Sequence, residues 1–203
     1  MAQISQYLEL YPMMTPELPG CPDPVKLQAL QRGGRQFCER TEAWREFLES
    51  IDLVDETVDY DLQPEYNAEI RKIVAVRINT EEGVTNGDDG ALQDKSLYEW
   101  DPDTEILTLD DSLEPTEDIT SGLDVKVVLV PYLTTSELPQ WFINRYADYL
   151  VAWAMVDLMT RPEKEWSNMV RAKFYQTEYQ RGVGIAKKDV ADEYKEENDG
   201  MQA

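Results

Sequence analysis

The stretch Ser136–Thr160, SELPQWFINRYADYLVAWAMVDLMT, is the longest apolar segment of the chain and constrains it most. Leu138, Phe142, Tyr146, Tyr149, Trp153 and Val156 recur at steps of three and four, the spacing of one helical stripe. Trp141, Leu150, Ala152, Met155 and Leu158 widen that stripe over most of the circumference, as in a helix with neighbours on several sides. Asn144, Arg145, Asp148 and Asp157 exclude a membrane span, because a charge at the centre of a bilayer helix costs about 2.5–3.5 kcal/mol by insertion scales. The segment therefore reads as a core helix capped by Thr135 or Ser136.

The flanking sequence supplies packing partners. Asp23-Pro24 opens a helix, since Asp caps well and Pro at the first helical position needs no amide hydrogen. Leu27, Leu30, Gly34, Phe37, Thr41, Trp44 and Leu48 give it one buried face and carry it to Ser50. The interior pair Gly33-Gly34 costs about 1 kcal/mol per residue relative to alanine, which close approach by another helix would offset. Arg161-Pro162 ends the central helix and starts the next, with Trp166, Met169, Val170, Phe174 and Thr177 on its buried face and a stop or kink at Gly182 and Gly184. The core thus comprises Phe37, Trp44, Phe142, Tyr146, Trp153, Trp166 and Phe174. Residues 1–22, punctuated by Pro12, Pro16, Pro19 and Pro22, form a strap that either covers this core or docks on a neighbour. Residues 186–203 are polar and read as a tail that is disordered on its own.

Between the helices the pattern changes to period two. Val58–Leu62, Ile70–Ile78, Tyr98–Trp100, Ile106–Leu109 and Val125–Val130 read as short strands, with a turn at Asp101-Pro102-Asp103 and a hairpin turn at Asn86-Gly87. The fold expected is α+β: a bundle of three to four helices with an inserted antiparallel β-rich region and an extended C-terminal tail. Its parts are residues 1–50, strap and first helix; 51–132, acidic β-rich insertion; 133–185, helix pair; and 186–203, tail.

Charge and chemistry narrow the function. The 203 residues include 41 acidic and 19 basic groups, a net charge of −22, and no histidine. From Glu49 to Asp118 there are 22 acidic against 4 basic residues, an excess of 18, whereas Glu137 to Lys195 holds 9 of each. Such a field repels phosphates and argues against general nucleic-acid binding. Without histidine there is no imidazole base, no Ser-His or Cys-His dyad and no zinc–histidine site. Asn86-Gly87-Asp88-Asp89-Gly90 fails the calcium-loop pattern, because Leu92 or Ser96 stands where glutamate is required. No glycine-rich phosphate loop is present, so neither metal nor cofactor is expected. Cys21 and Cys38 read as buried thiols of a reducing compartment, and MAQISQYLEL has no secretion pattern. Arg40, Arg45, Arg145, Arg171, Lys173, Lys187 and Lys188 either pair with nearby acids or contact the acidic region of a second copy.

The order of features, LYPMMTPELPGCPDPVKLQALQRGGRQFCERTEAWRE, then VDYDL, then SELPQWFINRYADYLVAWAMVDLMTRPEKEWSN, resembles the head-to-tail adaptor (connector) proteins of tailed bacteriophages. The likeness spans nearly the whole chain apart from the acidic loops between Asn79 and Asp124. It implies a ring beneath the portal protein, most often of twelve copies, with a lumen through which DNA passes without specific binding. It also implies contacts with further neck or tail proteins and a tail reaching the portal, here Ala186, Lys187, Lys188, Val190 and Tyr194. The protein would be made in the host cytoplasm and reside in the virion neck. Competing readings are a neck stopper or tail-completion protein, and an acidic DNA mimic or regulatory binding protein. An enzyme ranks last.

Overall fold

The computed structural model describes residues 4–79 and 91–199. In chain order the elements are β1 (Ile4–Gln6), α1 (Tyr11–Met14), α2 (Asp23–Thr41), β2 (Arg45–Phe47), β3 (Ile51–Leu53), β4 (Asp59–Asp61), β5 (Ala68–Ile78) and β6 (Ala91–Leu92). There follow β7 (Tyr98–Asp101), β8 (Ile106–Leu109), β9 (Ile119–Pro131), β10 (Glu137–Pro139), α3 (Gln140–Met159) and α4 (Met169–Asp199). They divide into two compact units, a helical one of residues 1–44 and 131–203 and a β unit of residues 45–130. The hairpin turn expected at Asn86-Gly87 lies outside the described residues.

In the helical unit α3 packs between α2 and α4. Its residues Phe142, Ile143, Tyr146, Leu150, Val151, Ala154, Met155, Leu158 and Met159 are buried on several sides of the helix. Gly33 of α2 faces α3: a Cβ there would lie 3.1 Å from Trp153 Cε3 and 3.4 Å from the Leu150 carbonyl oxygen. Gly34 instead receives the strap, for its Cβ would fall 2.0 Å from the Tyr7 hydroxyl. Tyr7, Leu10, Met14 and Leu18 are all buried, so these strap residues cover their own core. Antiparallel pairing of β1 with β10 fastens the start of the described chain, with Ser5 opposite Leu138.

The β unit is antiparallel. One sheet has the order β2-β9-β5-β6, with β3 also on β9, and a second has the order β4-β8-β7. The short sheet alternates as its sequence does: Tyr60, Leu107 and Leu109 are buried while Asp59, Asp61 and Ile106 are exposed. Strand β9 is buried without interruption from Gly122 to Pro131. Its near-continuous apolar run is the pattern of a strand covered on both faces.

The structure corrects the expected architecture at its C-terminal end. Among the described residues there is no extended tail: α4 runs through Gly182, Gly184 and residues 186–199. Polar composition was the ground for disorder, but alanine, glutamate and lysine are also strong helix formers. The packing of Gly182 and Ala186 ties the segment to the bundle: Ala186 is fully buried, and a Cβ at Gly182 would meet Tyr149 Cγ at 2.1 Å. The helical and strand-rich parts are thus an α+β pair of units with a boundary at Arg45 instead of 51.

Three helix limits also differ. Helix α2 stops at Thr41, not Ser50, because Glu42 turns left-handed (φ 53°) and donates its amide to the Cys38 carbonyl. The Thr41 hydroxyl accepts from the Ala43 amide just beyond. Trp44 and Leu48 are buried as expected, but from outside the helix. Helix α3 begins at Gln140, since Pro139 holds Leu138 extended and residues 137–139 pair with β1. Helix α4 begins at Met169, after a loop containing Glu163 at φ 59°, and Asn168 caps it by accepting from the Arg171 amide at 3.1 Å.

That last shift rotates the expected face. Met169, Val170 and Phe174 are exposed, by 60, 80 and 61 %, and Thr177 is exposed as well. Ala172, Tyr179, Val183 and Ala186 form the buried face of α4 in their place. Phe174 is therefore not a core residue, and Trp166 is half-buried in the loop before the helix.

Candidate interaction surfaces

Of the core residues expected on α2 and α3, Phe37, Trp44, Phe142 and Tyr146 converge, whereas Trp153 is only half-buried, beside Gly33. Phe37 lies 5.2 Å from Tyr146 and 6.1 Å from Phe142, ring centre to ring centre. Phe142 is 5.1 Å from Tyr146 and 6.1 Å from Trp44. Tyr179, outside the face expected for its helix, completes the cluster 6.2 Å from Phe37, with the Arg40 guanidinium over its ring at 5.4 Å. Tilted and edge-on aromatic contacts of this kind add about 0.5–1.5 kcal/mol beyond area burial. Cys38 sits within the same interior, and burial holds its thiol far above the ordinary range, so it is an inert neutral group.

A polar clamp ties α4 to α3. Asp189 accepts from Arg145 Nε at 3.0 Å and from the Tyr146 hydroxyl at 3.0 Å, and pairs with Arg145 Nη2 at 2.9 Å. Burial opposes ionisation of this carboxyl, but the hydrogen bonds from Arg145 and Tyr146 prevail and hold it below its usual range. The residues expected to reach a partner from the tail are thus divided. Ala186 is inside the bundle, Val190 and Tyr194 are half-buried, and Lys187 and Lys188 are exposed.

A groove of about 320 Å³ is lined by Met13, Asp148, Tyr149, Val151, Ala152, Phe174, Tyr175, Glu178 and Arg181. Arg171 reaches Glu17 at 2.7 Å. Burial together with a hydrogen bond to Glu17 pushes the Tyr175 phenol up to about 12.

The β unit offers a different surface. Register places Asp59, Thr108 and Glu99 in one row across β4, β8 and β7, and Asp61, Ile106 and Asp101 in the next but one. Asp59, Glu99, Asp101, Ile106 and Thr108 line a shallow concavity of about 570 Å³. Asp94, Asp101 and Asp110 each fold back on their own loop. Their carboxylates accept from the amides of Ser96, Asp103 and Ser112 and from the hydroxyls of Ser96, Thr104 and Ser112. These bonds favour the charged form and hold all three below the usual carboxylate range. A buried network lies elsewhere in the unit, where Asp124 accepts from the Ser50 hydroxyl and from Asn79 Nδ2 at 3.0 Å.

Among the described residues no group of three or more carboxylates or thiols is disposed to hold a metal ion, and no helix is long and apolar enough to cross a membrane. What the arrangement offers is two surfaces of opposite character on two units. Known protein families and curated proteins give no match to this chain.

Proposed function

We propose that this chain is a structural adaptor of a tailed-phage neck. Copies assemble as a ring, twelve by the resemblance, beneath the portal protein and join it to further neck or tail proteins around a lumen for DNA. The observation that carries this reading is the partition of charge. An excess of 18 carboxylates out of a net −22 falls between Glu49 and Asp118, within the β unit, while the helical segment Glu137–Lys195 is balanced. Carboxylates facing a passage repel the phosphates moving through it, and a neutral aromatic bundle is free to pack against neighbours.

The C-terminal end of α4 carries the portal contact in this reading, through exposed Lys187 and Lys188 and the helix beyond them. Because Ala186 is buried and Asp189 is clamped, a useful truncation starts at Ala191. Removing residues 191–203 together with Lys187→Glu and Lys188→Glu is expected to abolish portal attachment while the melting temperature stays within 2 °C or so, the shift expected for about 0.5 kcal/mol. Electron microscopy of particle necks labelled for this chain tests the reading as a whole. A ring of label beneath the portal supports it. A chain missing from the neck, or a monomer that competes with DNA for a basic target, overturns it in favour of the DNA mimic.

A further inference from the structure

The face of α4 opposite its buried side is built unlike the rest of the molecule. At 100° per residue, Val170, Lys173, Phe174, Thr177, Arg181, Gly184 and Ile185 make up one stripe between positions 170 and 185, and every one of them is exposed. Three of these are apolar, two are basic and none is acidic, in a chain of net charge −22. A lone exposed valine or phenylalanine needs no explanation, but an apolar row with basic flanks on one helix face marks a contact surface. Gly184 adds an independent sign. A Cβ there would meet nothing within 4 Å, so close packing inside the chain does not account for this glycine as it does for Gly182. A glycine in a helix interior costs about 1 kcal/mol relative to alanine, and here its bare backbone opens onto the same stripe.

We infer that this stripe docks on the carboxylate-bearing face of the β4-β8-β7 sheet of a second copy. The argument is complementarity. That sheet face presents Asp59, Asp61, Glu99 and Asp101 around Ile106, which is 36 % exposed, above a shallow concavity. Lys173 and Arg181 stand about 12 Å apart along the helix axis. Asp59 and Glu99, two strands apart, stand about 9.6 Å apart. A helix lying across the strands would set Lys173 and Arg181 near the carboxylates at the two ends of a row, Asp59 and Glu99, with Phe174 against the sheet between them. Glu178, 3.4 Å from Arg181, borders the stripe and would turn away to the groove side. Both surfaces are exposed. Because they differ, the contact is head-to-tail, the kind that closes into rings and not into two-fold dimers. The inference rests on the ring reading for its premise that copies meet.

The test uses full-length chains carrying Lys173→Cys or Glu99→Cys, mixed at millimolar concentration under mild oxidation and read as disulfide-linked dimer. The mixture is expected to crosslink at least tenfold more than either chain alone. Adding Phe174→Asp to the first chain, or raising salt to about 1 M, where the screening length falls to about 3 Å, should remove the excess. Phe174 is exposed, so its replacement leaves folding intact, which circular dichroism verifies. Equal crosslinking in mixed and single samples overturns the contact, as does an excess indifferent to Phe174→Asp. Labelled necks that form normal rings with Phe174→Asp overturn the contact and leave the ring reading standing. Crosslinking that behaves as expected in a chain missing from necks does the reverse.

Discussion

In the helical unit a buried ring touches other rings from α2, α3 and α4, whereas the β unit buries aliphatic side chains behind a face of carboxylates. The first arrangement draws its stability from shape, because large rigid groups meet at fixed angles and backbones approach at Gly33 and Gly182. The second draws it from alternation along short strands, which leaves one side free to carry charge. The two units divide the labour of one chain: one is sensitive to volume, the other to turns and charge.

The largest expected effect breaks the aromatic cluster. Phe142→Ala should cost about 3–5 kcal/mol, whereas Phe174→Ala, at a position that is 61 % exposed, should stay within about 0.5 kcal/mol. Denaturant titration of both variants checks this, and equal losses would contradict the placement of α4. Next comes the strap. Gly34→Leu forces the Tyr7 ring out and should cost about 3 kcal/mol, lowering the melting temperature by roughly 6–12 °C. Tyr7→Phe alone should be neutral or slightly stabilising, since the buried hydroxyl has no hydrogen-bond partner among the described residues.

A smaller effect tests the clamp. The hydrogen bonds from Arg145 and Tyr146 hold the folded-state pKa of Asp189 below that of a free carboxyl, so its contribution is fully present above the unfolded value and is lost as pH falls through the folded one. Side chains partly open to solvent limit it to about 1 kcal/mol. Asp189→Asn should therefore lower stability by that amount at pH 7 and make no difference near pH 2, as paired melts would show. The smallest effect belongs to the β unit. Glu105, between β7 and β8, is held at φ 57°, and Glu105→Gly should stabilise by about 0.5–1 kcal/mol without moving the helical unit's response to Phe142→Ala.

Much of this was legible in the residues. The central helix, the aromatic convergence of Phe37, Trp44, Phe142 and Tyr146, and the period-two strands all followed from spacing. Periodicity fails where two elements share one face. Trp44 and Leu48 continue the α2 rhythm although Glu42 has already broken the helix, because a buried position can be filled from a loop. Residues 169–177 contain an apolar row, and nothing local distinguishes a row facing a core from one facing solvent. The cap at Asn168, the packing of Gly182 on Tyr149 and the clamp at Asp189 orient α4. The sheet's carboxylate rows were visible as acidic composition, but their alignment across strands depends on a register set by long-range pairing.

The self-bonded aspartates at 94, 101 and 110 carry a consequence for acidification. Each keeps its proton off to lower pH than a free side chain would, using only a neighbouring hydroxyl and one or two amides from its own loop. These three loops therefore remain anionic in mildly sour medium that begins to neutralise ordinary surface carboxyls. A polyanion passing this face would meet negative charge there further into acid than ordinary surface carboxylates provide.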